Sequence, residues 1–170
     1  KMAVVMGIDP SLTSTGLVVL ENGNLVLSET LEVKEKGIAR LLVLQSVLEE
    51  KLFEYKPALV AIEGYAFARS NQAHQMGELG GMIRMLLTQK QVPWVEVVPT
   101  QAKKFATGKG NAPKDLILMH VFKRWKVEFS SSDEADAFVL AKISQAVLGD
   151  VKGLTREQIK IIKAIKKVAA

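Results

Sequence analysis

Runs of hydrophobic residues divide the first part of the chain into three strands. A run of β-forming residues covers 3–9, and two further runs follow at 17–21 and 25–33. Asn22 and Gly23 separate the last two runs, and Asn-Gly between hydrophobic runs is the strongest short-range hairpin signal. The pattern therefore predicts that the chain begins with three antiparallel strands.

The rest of the chain shows apolar residues at helical spacing, interrupted by two short apolar runs. Helices are predicted at 37–55, 72–89, 99–106, 113–125, 133–148 and 155–168, and strands at 58–63 and 94–98. Ser131 and Glu134 have the spacing of a capping box, so Glu134 is interpreted as a cap. Antiparallel strands followed by strands reached through helices predict an α/β fold, a mixed five-stranded sheet with helices on both faces.

Carboxylates occupy the ends of two strands and the start of a late helix. Asp9 and Glu63 end apolar runs, where an unpaired charge would be costly, and Asp133 and Asp136 share one helix face. An Asp before Pro can simply begin a turn, and acids in a first helical turn favour the macrodipole. Together, however, the four carboxylates predict a site for two divalent ions acting on a phosphodiester, with Mg²⁺ or Mn²⁺ favoured by hard oxygen ligands.

The overall charge is compatible with a polyanionic partner. The 170 residues carry a net charge of +5 and a sequence pI of about 9.4, with acids in a few tight clusters. The length predicts one domain, 1–170, whose last part, 151–170, is a short basic helix. The chain has no cysteine, and the sequence predicts no leader and no membrane-spanning segment, so we expect a cytoplasmic protein without a membrane partner.

Three ordered blocks of the sequence resemble the RuvC Holliday-junction resolvases, and most closely the bacteriophage branch of that family. The blocks are 7–16, 62–67 and 133–141, and the lysine-bearing stretches 101–105 and 108–114 lie between the last two. The similarity covers about residues 3–149. It implies a ribonuclease-H-like fold, a homodimer, and divalent-metal nicking of paired strands at a DNA junction, in the host cytoplasm if the protein is phage-encoded.

The resemblance also assigns roles to particular residues. It implies that Asp9, Glu63, Asp133 and Asp136 are the metal carboxylates, and that Tyr65 or Phe67 opens the junction centre. Four-way junctions are the expected substrate, forks and three-way junctions are further candidates, and no helicase partner is expected.

Lysines around a glycine loop supply candidate phosphate contacts. Lys103, Lys104, Lys109 and Lys114 flank this loop, where glycine lets backbone N–H groups approach phosphate. Lys103 and Lys114 are further expected to act in catalysis, and Arg69 is a candidate DNA contact. Lysines on a loop are also commonly just solvated.

Two helices carry apolar surface whose partner the sequence leaves open. The helix at 72–89 is a candidate dimer interface, or is buried within the subunit; its apolar and glycine positions are Met76, Gly77, Leu79, Gly80, Met82, Ile83, Met85 and Leu86. The helix at 155–168 either covers the core or presents its lysines to DNA or to a second subunit.

A structure-selective DNA endonuclease is the function that the sequence favours. The alternatives are a non-catalytic junction-binding protein, an RNA-processing nuclease of the same fold, and an ATP-binding protein of the actin-like superfamily. The last normally needs two such domains, and 170 residues hold one.

Overall fold

The computed structural model describes residues 3–65 and 72–169. Their five strands are β1 Val4–Asp9, β2 Ser14–Glu21, β3 Asn24–Glu32, β4 Leu59–Glu63 and β5 Trp94–Val97. Their six helices are α1 Gly37–Tyr55, α2 Ala73–Gln89, α3 Pro99–Thr107, α4 Lys114–Trp125, α5 Ser132–Val147 and α6 Arg156–Ala169. None of the helices in this described part is long and apolar enough to cross a lipid bilayer.

The strands form one mixed sheet in the order β3-β2-β1-β4-β5. The first three strands are antiparallel, whereas β4 and β5 run parallel to β1. Asn22 and Gly23 both have positive φ, 51° and 80°, as a two-residue hairpin turn requires. The predicted antiparallel start and mixed sheet are therefore confirmed, with β2 beginning three residues earlier than expected.

Alternating strand residues contribute side chains to two separate hydrophobic cores, one on each face of the sheet. Residues such as Met6 and Ile8 pack with α1 and α2, whereas Val5, Ala61 and Val97 pack with α3, α4, α5 and α6. This alternation follows from the two-residue period of a strand. Helix α6 belongs to the second core through Ile161, Ile162 and Ile165, so its apolar face covers the domain.

Two glycines bring helix α5 directly onto the backbone of the sheet. A methyl group at Gly7 would overlap the Ala137 carbonyl and lie 2.6 Å from the Ala141 nitrogen. A methyl group at Gly16 would overlap the backbone of Asp133. Only glycine leaves room for this approach, so the start of α5 lies against the place where β1 ends.

Candidate active site

Asp9 and Glu63 end two neighbouring parallel strands on the same face of the sheet. Val5, Gly7 and Asp9 alternate onto the α5 face of β1, and Ala61 and Glu63 do the same on β4. Asp9 is only 7% exposed and is hydrogen-bonded to the side chain of Glu63, which is half-buried. The structure thus brings two of the predicted site acids into contact.

Helix α5 brings the second pair of acids to the same sheet end. Asp133 and Asp136 are half-buried in the first turns of α5, and the Ser14 hydroxyl donates to Asp133 Oδ2 at 2.8 Å. Ser14 begins β2 two residues before Gly16, so its side chain faces α5 as well. Sequence reasoning gave Ser14 no role, although its i, i+2 relation to Gly16 was a usable signal.

The predicted capping box at the start of α5 is only half formed. Ser131 caps the helix as expected, accepting a hydrogen bond from the Asp133 backbone N–H at 3.2 Å. The Glu134 carboxylate instead accepts a hydrogen bond from the Ser28 hydroxyl at 2.6 Å. The interpretation of Glu134 as a cap is therefore wrong, because a polar partner on β3 captures its side chain and ties the helix to the sheet edge.

The crowded carboxylates change one another's acidity. Burial, a hydrogen bond to Glu63 and the negative charges of Glu63, Asp136 and Asp133 raise the pKa of Asp9 well above its ordinary value. Burial and the charges of Glu63 and Asp133 raise the pKa of Asp136 to about 6, although the positive charge of Lys114 opposes this shift. Carboxylates held together against their repulsion are a common property of cation-binding and catalytic sites.

Two of the predicted lysines lie at this acidic cluster. A small cavity of about 70 Å³ is lined by Glu63, Asp136, Lys103 and Lys114, with apolar neighbours from α3, α4 and α5. Lys103 lies near the middle of α3 and Lys114 begins α4, so the loop between these helices carries one lysine on each side. Both ammonium groups favour the ionised form of Asp136, and its pKa is correspondingly less raised.

The other two lysines point elsewhere. Lys104, next to Lys103 on α3, forms an ion pair with Glu157 of α6 at 3.2 Å. Lys109 is exposed on the loop and lines the same groove as Glu157. The four predicted lysines therefore divide between the acid site and a second surface.

Tyr65 lies against α2. Its ring stacks under the Arg84 guanidinium, 4.3 Å from ring centroid to Cζ, and its side chain is 43% exposed. Arg84 is held in turn by Glu96, whose Oε1 accepts from Arg84 Nε at 2.6 Å, and by the Gly80 carbonyl at 2.9 Å. A contact of Tyr65 with DNA stays a prediction, while Phe67 and Arg69 lie outside the described residues.

The carboxylates suit a divalent cation in their chemistry. They supply hard oxygen ligands, and the repulsion that raises the pKa of Asp9 and Asp136 is what a bound cation would relieve. Within residues 3–65 and 72–169, however, no three acidic or histidine side chains already surround a common point for an ion. Asp9 is hydrogen-bonded to Glu63 and Asp133 to Ser14, so these side chains would have to reorient around an ion.

The predicted interface helix α2 is divided between two environments. Leu79, Gly80, Ile83 and Leu86 are buried within the subunit, and Gly80 contacts Tyr65 and Arg84 closely. By contrast, a methyl group at Gly77 or Gly81 would meet nothing within 4 Å, and Met85 is 62% exposed. The buried residues belong to the core, so only the face through Gly77, Gly81 and Met85 is available to a partner.

Comparison with known proteins places this arrangement in a family. A family model described as crossover junction endodeoxyribonuclease RuvC matches residues 5–144. The protein of that name from Rickettsia bellii is 34% identical over 149 residues, covering 81% of this chain and 94% of the relative. The one from Hydrogenovibrio crunogenus is 31% identical over 140 residues, covering 78% of this chain and 81% of the relative.

A solved structure gives the same result. The structure described as T. thermophilus RuvC in complex with Holliday junction substrate has a TM-score of 0.74 at 26% identity. It covers 87% of this chain and 97% of the other, which confirms the expected ribonuclease-H-like fold. The chain belongs to the RuvC family of crossover junction endodeoxyribonucleases.

Proposed function

We propose that this protein resolves four-way DNA junctions by hydrolysing phosphodiesters in paired, symmetric nicks. The observation that carries the proposal is the meeting of Asp9, Glu63 and Asp136 at one sheet end with Lys103 and Lys114 beside them. Acids that can bind cations, next to cations that can bind phosphate, suit hydrolysis of a nucleic-acid backbone. Forks and three-way junctions are further candidate substrates.

The proposed cofactor is Mg²⁺ or Mn²⁺, two ions per site, because family members are divalent-metal-dependent nucleases and the ligands are oxygens. Asp9, Glu63, Asp133 and Asp136 would hold the ions. When bound, such ions neutralise charge at the scissile phosphate and lower the pKa of the attacking water.

The protein's own groups would bind and orient the phosphate. Lys103 and Lys114 would contact its oxygens, since their side chains line the cavity that Glu63 and Asp136 close. Ser14 would fix the rotamer of Asp133 through their 2.8 Å hydrogen bond. Tyr65, Phe67 and Arg69 remain candidate contacts to the junction centre and its backbone.

Incubation with labelled four-way, three-way and duplex DNAs, with Mg²⁺, Mn²⁺ or EDTA, tests the proposal. We expect symmetric nicks in the four-way junction with either metal and none in EDTA. Binding of the junction without cleavage under all metal conditions would favour a non-catalytic binding protein. Preferential cleavage of a structured RNA would favour an RNA-processing nuclease.

We further propose that the active form is a homodimer, because two symmetric nicks need two equivalent sites and a two-fold dimer supplies them. The exposed face of α2 through Gly77, Gly81 and Met85 is the proposed interface. It presents two glycines and Met85 among the exposed polar residues His74, Glu78 and Thr88, so two copies of the helix could approach closely at the glycines.

Light scattering on Gly81→Glu tests this interface. A Cβ atom there would meet nothing within 4 Å, and glutamate favours helix more than glycine does, so the subunit should still fold. We expect a monomer, whereas the control Met119→Glu, at an exposed position of α4, should stay dimeric. A dimer unaffected by Gly81→Glu would exclude this face as the interface.

Three points remain predictions of the sequence. They are membership of the bacteriophage branch, action without a helicase partner, and activity in the host cytoplasm. The relatives named above are bacterial. Nicking of junctions by the purified protein without added helicase would support the second of these predictions.

A further inference from the structure

An open groove of about 730 Å³ lies between helix α6 and the loop that joins α3 to α4. We name it the α3–α6 groove; its charged lining residues are Lys104, Lys109, Lys160 and Glu157. Lys103, one position before Lys104, lines the acid-site cavity. The groove and the acid site therefore lie on two sides of one helix, α3.

Helix α6 is held firmly enough to position its cations. Ile161, Ile162 and Ile165 are buried in the core, and the buried Gln158 donates to the Phe105 carbonyl at 3.0 Å. Thr155 and Gln158 exchange hydrogen bonds at the start of the helix, at 3.0 and 3.2 Å. Because Phe105 belongs to α3, these contacts fix α6 against the helix that carries Lys103 and Lys104.

The charges of α6 are almost all positive, and among its cations Lys160 lines the groove. Its cations are Arg156, Lys160, Lys163, Lys166 and Lys167, against the single acid Glu157. At 100° per residue, Arg156, Lys160, Lys163 and Lys167 share one side of the helix and run along roughly 16 Å of it. Lys166 falls on the other flank.

Glu157 lies in the groove between a lysine of α3 and a lysine of α6. Its carboxylate contacts Lys104 at 3.2 Å and Lys160 at 3.5 Å, one from each wall of the groove. Their hydrogen bonds and charges lower the pKa of Glu157, so it stays ionised near neutral pH. A carboxylate held between two lysines occupies the position in which a phosphate oxygen could be bound by the same pair.

We propose that the α3–α6 groove binds backbone phosphates of a DNA arm that leads away from the scissile phosphate. The inference rests on the proposed function, because it takes the DNA at the acid site as its starting point. Lysines contact phosphate without reading bases, so this contact contributes affinity and orientation rather than sequence preference. The family model matches residues 5–144, and helix α6 begins later, at Arg156. The groove therefore extends the proposed DNA-binding surface to residues that the family model does not match.

Fluorescence anisotropy with a labelled four-way junction in EDTA tests the groove, with salt varied from about 50 to 200 mM. Lys160→Ala should weaken binding and lower the slope of log K against log salt by about 0.9, the value for one phosphate contact. Lys166→Ala is the matched control, with the same charge lost from the other flank, and should leave the slope unchanged. Both residues are exposed, so neither variant disturbs the core.

Glu157→Gln supplies an effect of the opposite sign. It releases Lys104 and Lys160, and we expect the affinity for the junction to rise about twofold or more. A role of Glu157 confined to holding α6 would instead leave the affinity unchanged or lower it. Unchanged or weaker binding by Glu157→Gln, or equal slopes for Lys160→Ala and Lys166→Ala, would overturn the proposal.

These results are separable from a failure of the proposed function. A wild-type protein that neither prefers the junction over duplex DNA nor nicks it with metal would end the proposed function itself. A wild type that nicks junctions, while Lys160→Ala keeps the wild-type salt slope, would overturn only the groove.

Discussion

Two neighbouring lysines of helix α3 each face a carboxylate, and the two pairs behave in opposite ways. Lys103 lines the cavity of Asp136, whose pKa is raised to about 6 by burial and by the charge of Glu63. Lys104 bonds the half-exposed Glu157, whose pKa is lowered from 4.5 by the hydrogen bond and charge of that lysine. Helix α3 thus places Lys103 beside a cluster of mutually repelling acids and Lys104 in an ion pair with Glu157.

The difference shows that a neighbouring lysine does not by itself determine whether the pKa of a carboxylate is raised or lowered. At Asp136, desolvation and the like charges of Glu63 and Asp133 outweigh the lysines, so the cluster holds repulsion that a divalent ion would relieve. At the groove, water solvates the carboxylate and the lysines dominate. The first arrangement suits chemistry on phosphate, and the second suits reversible binding of phosphate.

Removing acid-site charge should have the largest effect. Asp9→Asn and Glu63→Gln each change little volume but remove a proposed metal ligand, so cleavage at saturating enzyme should fall by about two to three orders of magnitude. Junction binding should survive, because lysines supply it. Glu54→Gln, at an exposed position of α1, is the matched control in a gel-based nicking assay. Near-normal cleavage by either acid variant would remove that residue from the site.

The two lysines themselves can be compared directly. Lys103→Ala should lower the cleavage rate about tenfold to a hundredfold at saturating enzyme, because its charge would stabilise the transition state. Lys114→Ala should act similarly, whereas Lys104→Ala should alter affinity and leave the saturated rate near the wild-type value. Single-turnover rates and salt slopes measured on the same preparations separate these effects. Equal rate losses for Lys103→Ala and Lys104→Ala would show that the two lysines do not differ in their role in cleavage.

The Ser14 hydroxyl offers a finer test of how the acid site is oriented. Ser14→Ala removes the 2.8 Å hydrogen bond to Asp133, a contact to a charged group worth about 1.5–3 kcal/mol. We expect about a tenfold loss of cleavage rate with a raised metal requirement, and recovery in Ser14→Thr, which keeps a hydroxyl. A metal titration of both variants checks this prediction. Equal activity of Ser14→Ala and wild type would mean that Asp133 needs no such support.

The smallest effect expected is on stability without metal. Asp136 titrates near 6 in the folded protein and near its ordinary 3.8 when unfolded, so the folded state binds more protons between these values. The free energy of unfolding should therefore fall as pH rises through 6, and the raised pKa of Asp9 acts in the same direction. Glu157 does not interfere, because its pKa is lowered from 4.5.

Thermal unfolding in EDTA at about pH 5.5 and 7.5 measures this effect. Each kcal/mol should move the midpoint by about 2–4 °C in a chain of this size, with the higher midpoint at the lower pH. Asp136→Asn should flatten the dependence, while Glu157→Gln should leave it intact. A midpoint that rises with pH in the wild type would contradict the raised pKa values.

Local patterns were enough to predict most of the fold. Helix α1 has the predicted bounds, 37–55, because its apolar spacing is regular and Pro57 follows it. The meeting of Asp9 and Glu63 was also predictable, since each ends an apolar run and parallel strands share an edge. These features depend on short stretches of sequence and on general rules of sheet geometry.

Features that depend on distant contacts could not be predicted in the same way. The bond from Ser28 to Glu134 replaces half of the expected capping box, yet its partners are 106 positions apart. Gly80 resembled an interface glycine, but its neighbours are Tyr65 and Arg84 within the subunit. In each case the sequence pattern indicated one partner, and a contact with a residue distant in the sequence replaced it.

The contact of helix α5 with the sheet at Gly7 and Gly16 has a consequence for how the sequence can change. Because backbone meets backbone there, the gap between the strand acids and the helix acids is set by atomic radii, with no side chain in between. A side chain added at either glycine would push α5, and the two acids that it carries, away from the strand acids. These two positions therefore set the spacing of the site, although neither contributes a side chain to it.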